Sequence, residues 1–549
     1  FEEVVKKWDG QYVGHNMQFD VAMLRSEGIH VPTGKCHDTR LMGHVLDPTE
    51  STALKYQASK YVDANAAKLQ SALDEYMVDN GWNWATVPIV SEGGAAIYWQ
   101  YGGLDTILTK RLMNRHYPLV QARSPKSYQL ELAVVWVLEK MMRKGAKVDR
   151  PFTEERLRLM EEYQASCHAW AKEKFAAEWE AANPKRKFSL GSTKAVSDIL
   201  IRDGWGPWLT ETTATGAVKL DKNILPGIKH PLAQTVDLYK KSQKVSSTFL
   251  KKFLEYSEFD GRLHPRINSI GGSGKSAGES GGGQGVRTGR NSMDTPNLQQ
   301  LSKKSGNNPF AGQVRNCIVP SDGNTFVMAD FDQIELRLLA HMSGDNGLIN
   351  AFKGGGDFFV SLTQTMYDDP TITKADPRRG TTKTLTYGKI YGSGVETFAK
   401  AAGISVSEAH KVYALFNDMF PGAKTHAKEL EEMVRQTQET EGIGYVLSGL
   451  TDRRFPVDLD RPYSIGNHKI QGTAAELLKV KLVEADAAGL GDHMILPVHD
   501  EIISDVPNDQ VGDFIATLRD VMNDHTSFEV PITAGIATGT RWGTKVDID

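Results

Sequence analysis

An α+β architecture spread over several domains is the fold class this sequence predicts, and three observations predict it. The chain has 549 residues, more than one domain of ordinary size holds. Long stretches carry apolar residues at helical spacing, from Leu130 to Met142 and from Glu154 to about Glu180. Two short apolar segments read instead as strands, Thr325 to Ala329 and Met494 to Val498, and each leads into a carboxylate, Asp330 and Asp500.

Composition narrows the class. Hydrophobic residues make up 40% and charged residues 24%, the balance of a soluble globular protein. No apolar run approaches the roughly 18 residues of a membrane span, and no basic-then-apolar leader precedes the first helix, so no membrane partner is expected. Phe1 rather than Met begins the chain, which reads as a fragment or a processed product. Cys36, Cys167 and Cys317 are too scattered for a metal cluster or a disulfide scaffold, and a reducing, cytosol-like compartment follows. A net charge of -4 excludes a uniformly basic coat but leaves room for a local basic groove. Lys185-Arg186-Lys187, the group Lys240, Lys241 and Lys244, and Lys251-Lys252 are basic clusters, each readable as a solvated face or a phosphate contact.

Along the chain, residues 1–125 mix short apolar stretches with helical patterns. Leu130, Ala133, Val134, Val137, Leu138, Met141 and Met142 make an apolar helix that Gly145 ends as a C-cap. A long charged helix follows over Glu154 to Glu180. Gly271 to Gly285 is Gly/Ser-rich and reads as a flexible loop. Then comes the buried strand Thr325 to Ala329, with Ile334, Leu338 and Leu339 at helical spacing behind it. Asp330 therefore stands at a strand-to-helix switch, where it either caps the helix or faces a cleft. At Met494 to Ile503, two apolar strands flank His499-Asp500-Glu501, an acidic bend that is either a solvated turn or a cleft-facing one. Paired, Asp330 and Asp500 would be hard oxygen ligands suited to magnesium.

Between these carboxylates lies a basic helix. Asp376 is an N-cap residue with Pro377 behind it. Arg379, Lys383, Tyr387 and Tyr391 recur every fourth residue, so neighbours in the series share a broad face. Such a face is either a surface stripe or a triphosphate cradle near a helix N-terminus, with the tyrosines placed to stack on base and sugar.

In this order the three elements resemble motifs A, B and C of the family A (DNA polymerase I-type) DNA polymerases of bacteria and bacteriophages. Motif A is Asp330-Phe331-Asp332-Gln333-Ile334-Glu335-Leu336-Arg337, motif B the series Arg379, Lys383, Tyr387, Tyr391-Gly392, and motif C His499-Asp500-Glu501. Thr288-Gly289-Arg290, Asp294, Pro296-Asn297-Leu298-Gln299, Asn467 and Gln471-Gly472-Thr473-Ala474-Ala475 are similar to the same family. The resemblance implies a right-hand fold, with a thumb over about 152–265, a palm over about 126–151, 266–345 and 441–549, and fingers over about 346–440. It implies DNA-directed DNA synthesis on primer-template DNA with dNTPs, in replication or repair, in the cytoplasm of a bacterial or phage-infected cell. A processivity factor is a conceivable further partner. The cofactor implied is Mg2+, two ions, with Mn2+ as an alternative, held by Asp330 and Asp500. Catalytic roles fall on Asp330, Asp500, Glu501 and Lys383. Substrate contacts fall on Arg379, Lys383, Tyr387, Glu335, Tyr391 and Gln333, with Glu335 as the gate against a ribose 2′-OH. DNA contacts fall on Arg290, Asn297, Asn467, Gln471 and His499, and the lysines from Lys240 to Lys252 would track the duplex.

Two departures from the family pattern stand out. Asp357-Phe358-Phe359 replaces an expected Asp-x-His, removing an imidazole from the triphosphate contacts. Asp332 replaces a frequent Ser and adds a charge near the metal ligands. Tyr at position 387 implies ready acceptance of dideoxynucleotides.

At the N-terminus, Asn16-Met17-Gln18-Phe19-Asp20 and Tyr101-Gly102-Gly103-Leu104-Asp105 resemble the second and third motifs of a ribonuclease H-like 3′–5′ exonuclease. That places an exonuclease-like domain over 1–125 and the polymerase domain over 126–549. The first motif, Asp-x-Glu, is not found before Asn16, where Glu2-Glu3 and Asp9 do not match it. Exonuclease activity is therefore not expected of the chain as given. Against a single-subunit RNA polymerase stand Glu335, Glu501 and the exonuclease motifs. Against a non-catalytic DNA-binding scaffold stand Asp330, Asp500, Arg379 and Lys383.

Overall fold

The paired segments Tyr12–Gly14 and Cys36–Asp38 run parallel near the N-terminus and are flanked by the helix Met17–Ser26. Helix α1 (Gly94–Arg123) packs Val120 against Leu41, Met42 and Val45, and the same cluster takes in Tyr128 and Val135 of helix α2 (Pro125–Lys144). As the sequence predicts, α2 stops at Gly145, whose φ of 65° is left-handed and whose N–H closes on Met141 O at 2.9 Å. Helix α3 (Arg150–Ala182) starts where Asp149 accepts the Phe152 N–H, one turn before the run the periodicity picks out. Its distal half packs Trp179 and Ala171 into a separate core with Phe188, Ile199 and Val236. In this computed structural model the described residues are 2–84, 86–87, 94–213, 216–270, 287–301, 308–354, 356–390, 393–457, 459–460, 464–524 and 526–548. The Gly/Ser-rich segment lies outside them.

The centre of the molecule is a five-stranded antiparallel sheet. Strand β1 (Asn324–Phe331) is followed by helices α4 (Ile334–Ser343), α5 (Phe358–Tyr367), α6 (Pro377–Ile390) and α7 (Ile465–Ala487). Strands β2 (Met494–Val498) and β3 (Glu501–Pro507), helix α8 (Val511–Met522) and strands β4 (Ala534–Arg541) and β5 (Thr544–Ile548) complete it. The spatial order is β2-β3-β1-β4-β5. Because β1 is central, Phe326, Val327, Met328 and Ala329 are all buried, which is why its sequence is an unbroken apolar run. Burying each large side chain contributes roughly 1.5–3 kcal/mol. Helices α2, α7 and α8 cover the sheet through Leu138, Leu482 and Leu518.

Register decides where the acids go. Asp330 stands opposite Glu501 on one side and Gly535 on the other, and Val498 pairs with Glu501. Pairing on both sides, with β3 and with β4, fixes Asp330 at this place in the sheet.

Residues 334–420 build a second core from Leu336, Phe358, Phe359, Leu385, Phe398 and Phe416, which carries α5 and α6 as one packed unit beside the sheet. Between the N-terminal part and α7 lies a fully buried ionic cluster. Arg453 pairs with Glu131 and with Glu476 at 2.8 Å, and Lys479 pairs with Glu131 at 2.5 Å and donates to Ser269 O at 2.6 Å. No helix among the described residues is long and apolar enough to cross a membrane.

Candidate active site

Asp330 lies inside β1 as its penultimate residue and does not cap α4. That position belongs to Gln333, held left-handed at φ 52°. Asp500 sits in the two-residue turn between β2 and β3, beside His499 at φ 60°, and the Phe331 N–H donates to Asp500 O at 3.3 Å. Left-handed backbone at a non-glycine residue costs about 1–3 kcal/mol and gathers at functional sites. Both carboxylates line one cavity of about 650 Å3, together with Arg290, Gln333, Glu335, Lys383, Tyr387 and His499. Eight of the residues expected at the site thus meet in one place, although they come from four separated stretches of chain. Asn291 and Gln299 add amides, and Ala474 and Ala475 of α7 keep one wall low.

The donor set fits magnesium in one particular way. Among the described residues no group of three or more His, Cys, Asp or Glu comes together as a metal cage. Magnesium characteristically takes one or two carboxylates and completes its shell with water and substrate phosphate. A cavity holding two carboxylates, with Gln333 Oε1 and Asn291 Oδ1 buried without a hydrogen-bond partner among the described residues, offers that arrangement.

Helix α6 begins as its cap predicts, with Asp376 Oδ1 accepting the Arg378 N–H at 2.9 Å. Arg379 is not left open to the cavity. Asp357 takes its Nε at 3.1 Å and its Nη2 at 2.7 Å, a bidentate pair. Burial pushes the Asp357 carboxyl up, but the hydrogen bonds from Arg379 and the Val360 N–H outweigh it and hold the group below its ordinary range. Lys383 and Tyr387 do reach the cavity. Burial, then the charges of Glu335 and Asp500, push the Tyr387 phenol up to about 12, so it stays a neutral hydroxyl at working pH. Tyr391 lies outside the described residues.

Glu335 is joined to Arg290 at 3.0 Å, an ion pair between two residues the sequence assigns to sugar and DNA respectively. Glu501, which the resemblance makes catalytic, stands differently from Asp500. It is fully buried and absent from the cavity lining, accepts from Lys545 at 3.2 Å and faces Arg315 at 3.8 Å. Arg315 is the residue that sequence reasoning missed. It donates twice to Leu301 O, lies over the Trp542 ring at 4.3 Å and feels both Glu501 and Asp330. Its one sequence signal is a cation set in the otherwise uncharged run Gln313 to Val319. Asp332 is exposed and accepts from Thr533 Oγ1 at 2.9 Å, so its extra charge is engaged outside the cavity lining.

Other expected contacts are dispersed. Asn297 lines a separate cavity of about 250 Å3 with Ser247, Lys252 and Tyr256. Asn467 and Gln471 are half-buried on α7, Asn467 Oδ1 without a partner among the described residues. Of the lysines expected to follow a duplex, Lys240 turns inward to Leu220 O at 2.7 Å. Lys241, Lys251 and Lys252 pair with Asp237, Glu161 and Glu255. In the N-terminal part, Asn16 accepts from Arg40 at 3.0 Å, and burial followed by the charge of Asp38 raises Asp20. Asp105 is paired with Lys55, whose ammonium also lies 4.5 Å from the Tyr101 ring centre.

Comparison with known proteins agrees with this geometry. The model of DNA polymerase family A matches residues 157–544. The DNA polymerase of Mycobacterium phage D29 is 26% identical over 534 residues, covering 93% of this chain and 81% of the relative. DNA polymerase I of Chloroflexus aurantiacus is 28% identical over 556 residues, covering 96% of this chain but only 54% of the relative, so the chain spans about half of that protein. Among solved structures, the POL domain of Pol1 from M. smegmatis, in complex with DNA primer-template and dNTP, superposes with a TM-score of 0.74 at 22% identity, covering 96% of this chain and 85% of that one. The fold is therefore the right-hand polymerase fold that the motifs imply. With the family model spanning most of its length, this chain belongs to DNA polymerase family A.

Proposed function

We propose that the chain performs template-directed DNA synthesis, adding dNTPs to a primer 3′-OH by nucleotidyl transfer. The observation that carries this reading is the opening of Asp330 and Asp500 into one cavity beside Lys383 and Tyr387. The M. smegmatis relative, captured with primer-template and dNTP, supports it. The palm is assigned to about 126–151, 266–345 and 441–549, the fingers to about 346–440, the thumb to about 152–265 and an exonuclease-like domain to 1–125.

Family A polymerases are metal-dependent enzymes, and Asp330 and Asp500 are the residues that would hold two magnesium ions here. Bound there, the ions lower the pKa of the attacking hydroxyl and stabilise the leaving oxygen. The remaining work is positioning, which dominates phosphoryl chemistry. Lys383 and Arg379 bind and orient the triphosphate on the N-terminal half of α6, Arg379 by exchanging an oxygen of Asp357 for one of phosphate. Tyr387 stays a neutral hydroxyl beside the sugar. Glu335, fixed by Arg290, fills the space a 2′-OH would need. Gln333, His499, Asn467 and Gln471 face the nascent pair and primer-template, and Asn297 contacts the duplex further out. Glu501 and Arg315 hold the β3 end of the acidic turn from behind, a positioning role.

The test is primer extension by Asp330→Ala and Asp500→Ala with dNTPs and, separately, rNTPs. Extension should be abolished in both variants while primer-template affinity stays within a few-fold. The parent chain should use dNTPs. Undiminished extension in either variant overturns the reading, and a preference for rNTPs would favour an RNA polymerase.

A further inference from the structure

The first turn of α5 is built against α6 in a way that assigns work to a buried aromatic ring. Asp357 caps α5 by accepting the Val360 N–H at 3.0 Å and holds the Arg379 guanidinium by both carboxylate oxygens. Two residues on, Phe359 is 1% exposed. The Arg379 guanidinium carbon lies 5.7 Å from its ring centre and the Lys383 ammonium 5.6 Å from it, both within cation–π reach. The Tyr387 ring follows at 5.9 Å. Three α6 residues at four-residue spacing therefore converge on one ring. That ring is itself wedged edge-on by Phe358 at 5.3 Å, and Phe358 is stacked on Phe352 at 4.5 Å.

We propose that Phe359 is a positioning residue for the incoming triphosphate, pre-ordering Lys383 and Arg379 through its ring. The chemistry distinguishes it from Asp357. A carboxylate orders Arg379 by neutralising it, and that charge must be shared when phosphate arrives. An aromatic face orders a cation while leaving its full charge for phosphate. Lysine has the most to gain, because its long stem loses much rotamer freedom on fixing a phosphate, and ordering it beforehand removes that cost from binding.

The inference rests on the reading that α6 holds the dNTP triphosphate, and the experiment separates the two. The full chain carrying Phe359→Leu, Phe359→Tyr, Lys383→Ala or both Phe359→Leu and Lys383→Ala is assayed for KM(dNTP), kcat and primer-template affinity, with thermal melting to verify folding. Phe359→Leu should raise KM(dNTP) by roughly five- to thirtyfold, the worth of two modest cation–π contacts, with kcat and primer-template affinity within about twofold. Phe359→Tyr should restore most of the loss. In the double variant the Phe359→Leu effect should shrink by at least half. If Phe359→Leu melts below the assay temperature, Phe359→Met carries the same prediction. A normal KM in the folded Leu or Met variant, or strict additivity with Lys383→Ala, overturns the inference alone. A normal KM in Lys383→Ala overturns the underlying reading of α6.

Discussion

Asp357 and Arg379 make the ion pair from which the titration behaviour of the candidate triphosphate site follows. The Asp357 carboxyl is held below its ordinary value in the folded chain, so its stabilising effect is complete above the unfolded carboxylate value and is lost as pH falls through the folded one. On acidification below about pH 4, Asp357→Asn should therefore flatten the fall in melting temperature relative to the parent. A parallel fall in both would contradict the pairing. At the sugar, Glu335→Ala removes the carboxylate joined to Arg290. The ratio of rNTP to dNTP incorporation should rise by roughly tenfold or more, the scale on which a tightly shaped pocket discriminates. Tyr387 supports a companion expectation: dideoxynucleotides should compete with dNTPs within about an order of magnitude, as a competition assay would show, whereas strong exclusion would remove that role. Asp330, Asp500, Lys383 and Tyr387 were legible because each sits in a local pattern whose period places it. Arg315 against Glu501, and Lys55 against Asp105, were not, since their partners lie far along the chain and no local period encodes them.

Whole elements were read well where their period was strong and less well at their ends. The strand at Thr325 extends far enough to include Asp330, and α4 takes its cap from Gln333, because a left-handed residue rather than a side-chain oxygen turns the chain. Among the lysines of residues 240–252, charge alone does not reveal that Lys240 bonds inward and Lys241 lies against Asp237. Helix α7 shows what fixes one element against its neighbours. A Cβ on Gly472 would fall 2.2 Å from Phe455 Cζ, so Gly472→Ala forces the ring or the helix to shift and should cost about 1–3 kcal/mol in a denaturant melt. The buried cluster on the same helix is more demanding. Burial pushes Lys479 down to about 8, while Arg453 stays raised despite its burial because Glu131 and Glu476 both face it. Glu131→Ala removes the carboxylate paired with Lys479 and leaves Arg453 with Glu476 alone, and should cost roughly 3–5 kcal/mol. A loss under 1 kcal/mol would show the cluster to be dispensable.

At the scale of the whole molecule, two packed bodies supply the cavity, the sheet with α2, α7 and α8 and the helical unit carrying α5 and α6, while the distal half of α3 builds a separate core. The α+β class, the strand–helix switch, the acidic hairpin and the basic helix could all be read from sequence. Their convergence was implied only by the family resemblance, because no local pattern encodes β1 lying between β3 and β4, a pairing of segments that are distant in sequence. That convergence is the central claim, and manganese reports on it directly. Anomalous scattering from crystals of the chain with primer-template, a non-hydrolysable dNTP and Mn2+ should place its strongest peaks between the Asp330 and Asp500 carboxylates, in contact with the phosphates. Peaks at Asp332 or Glu501 instead, or none within coordination distance of Asp330 and Asp500, would contradict the account.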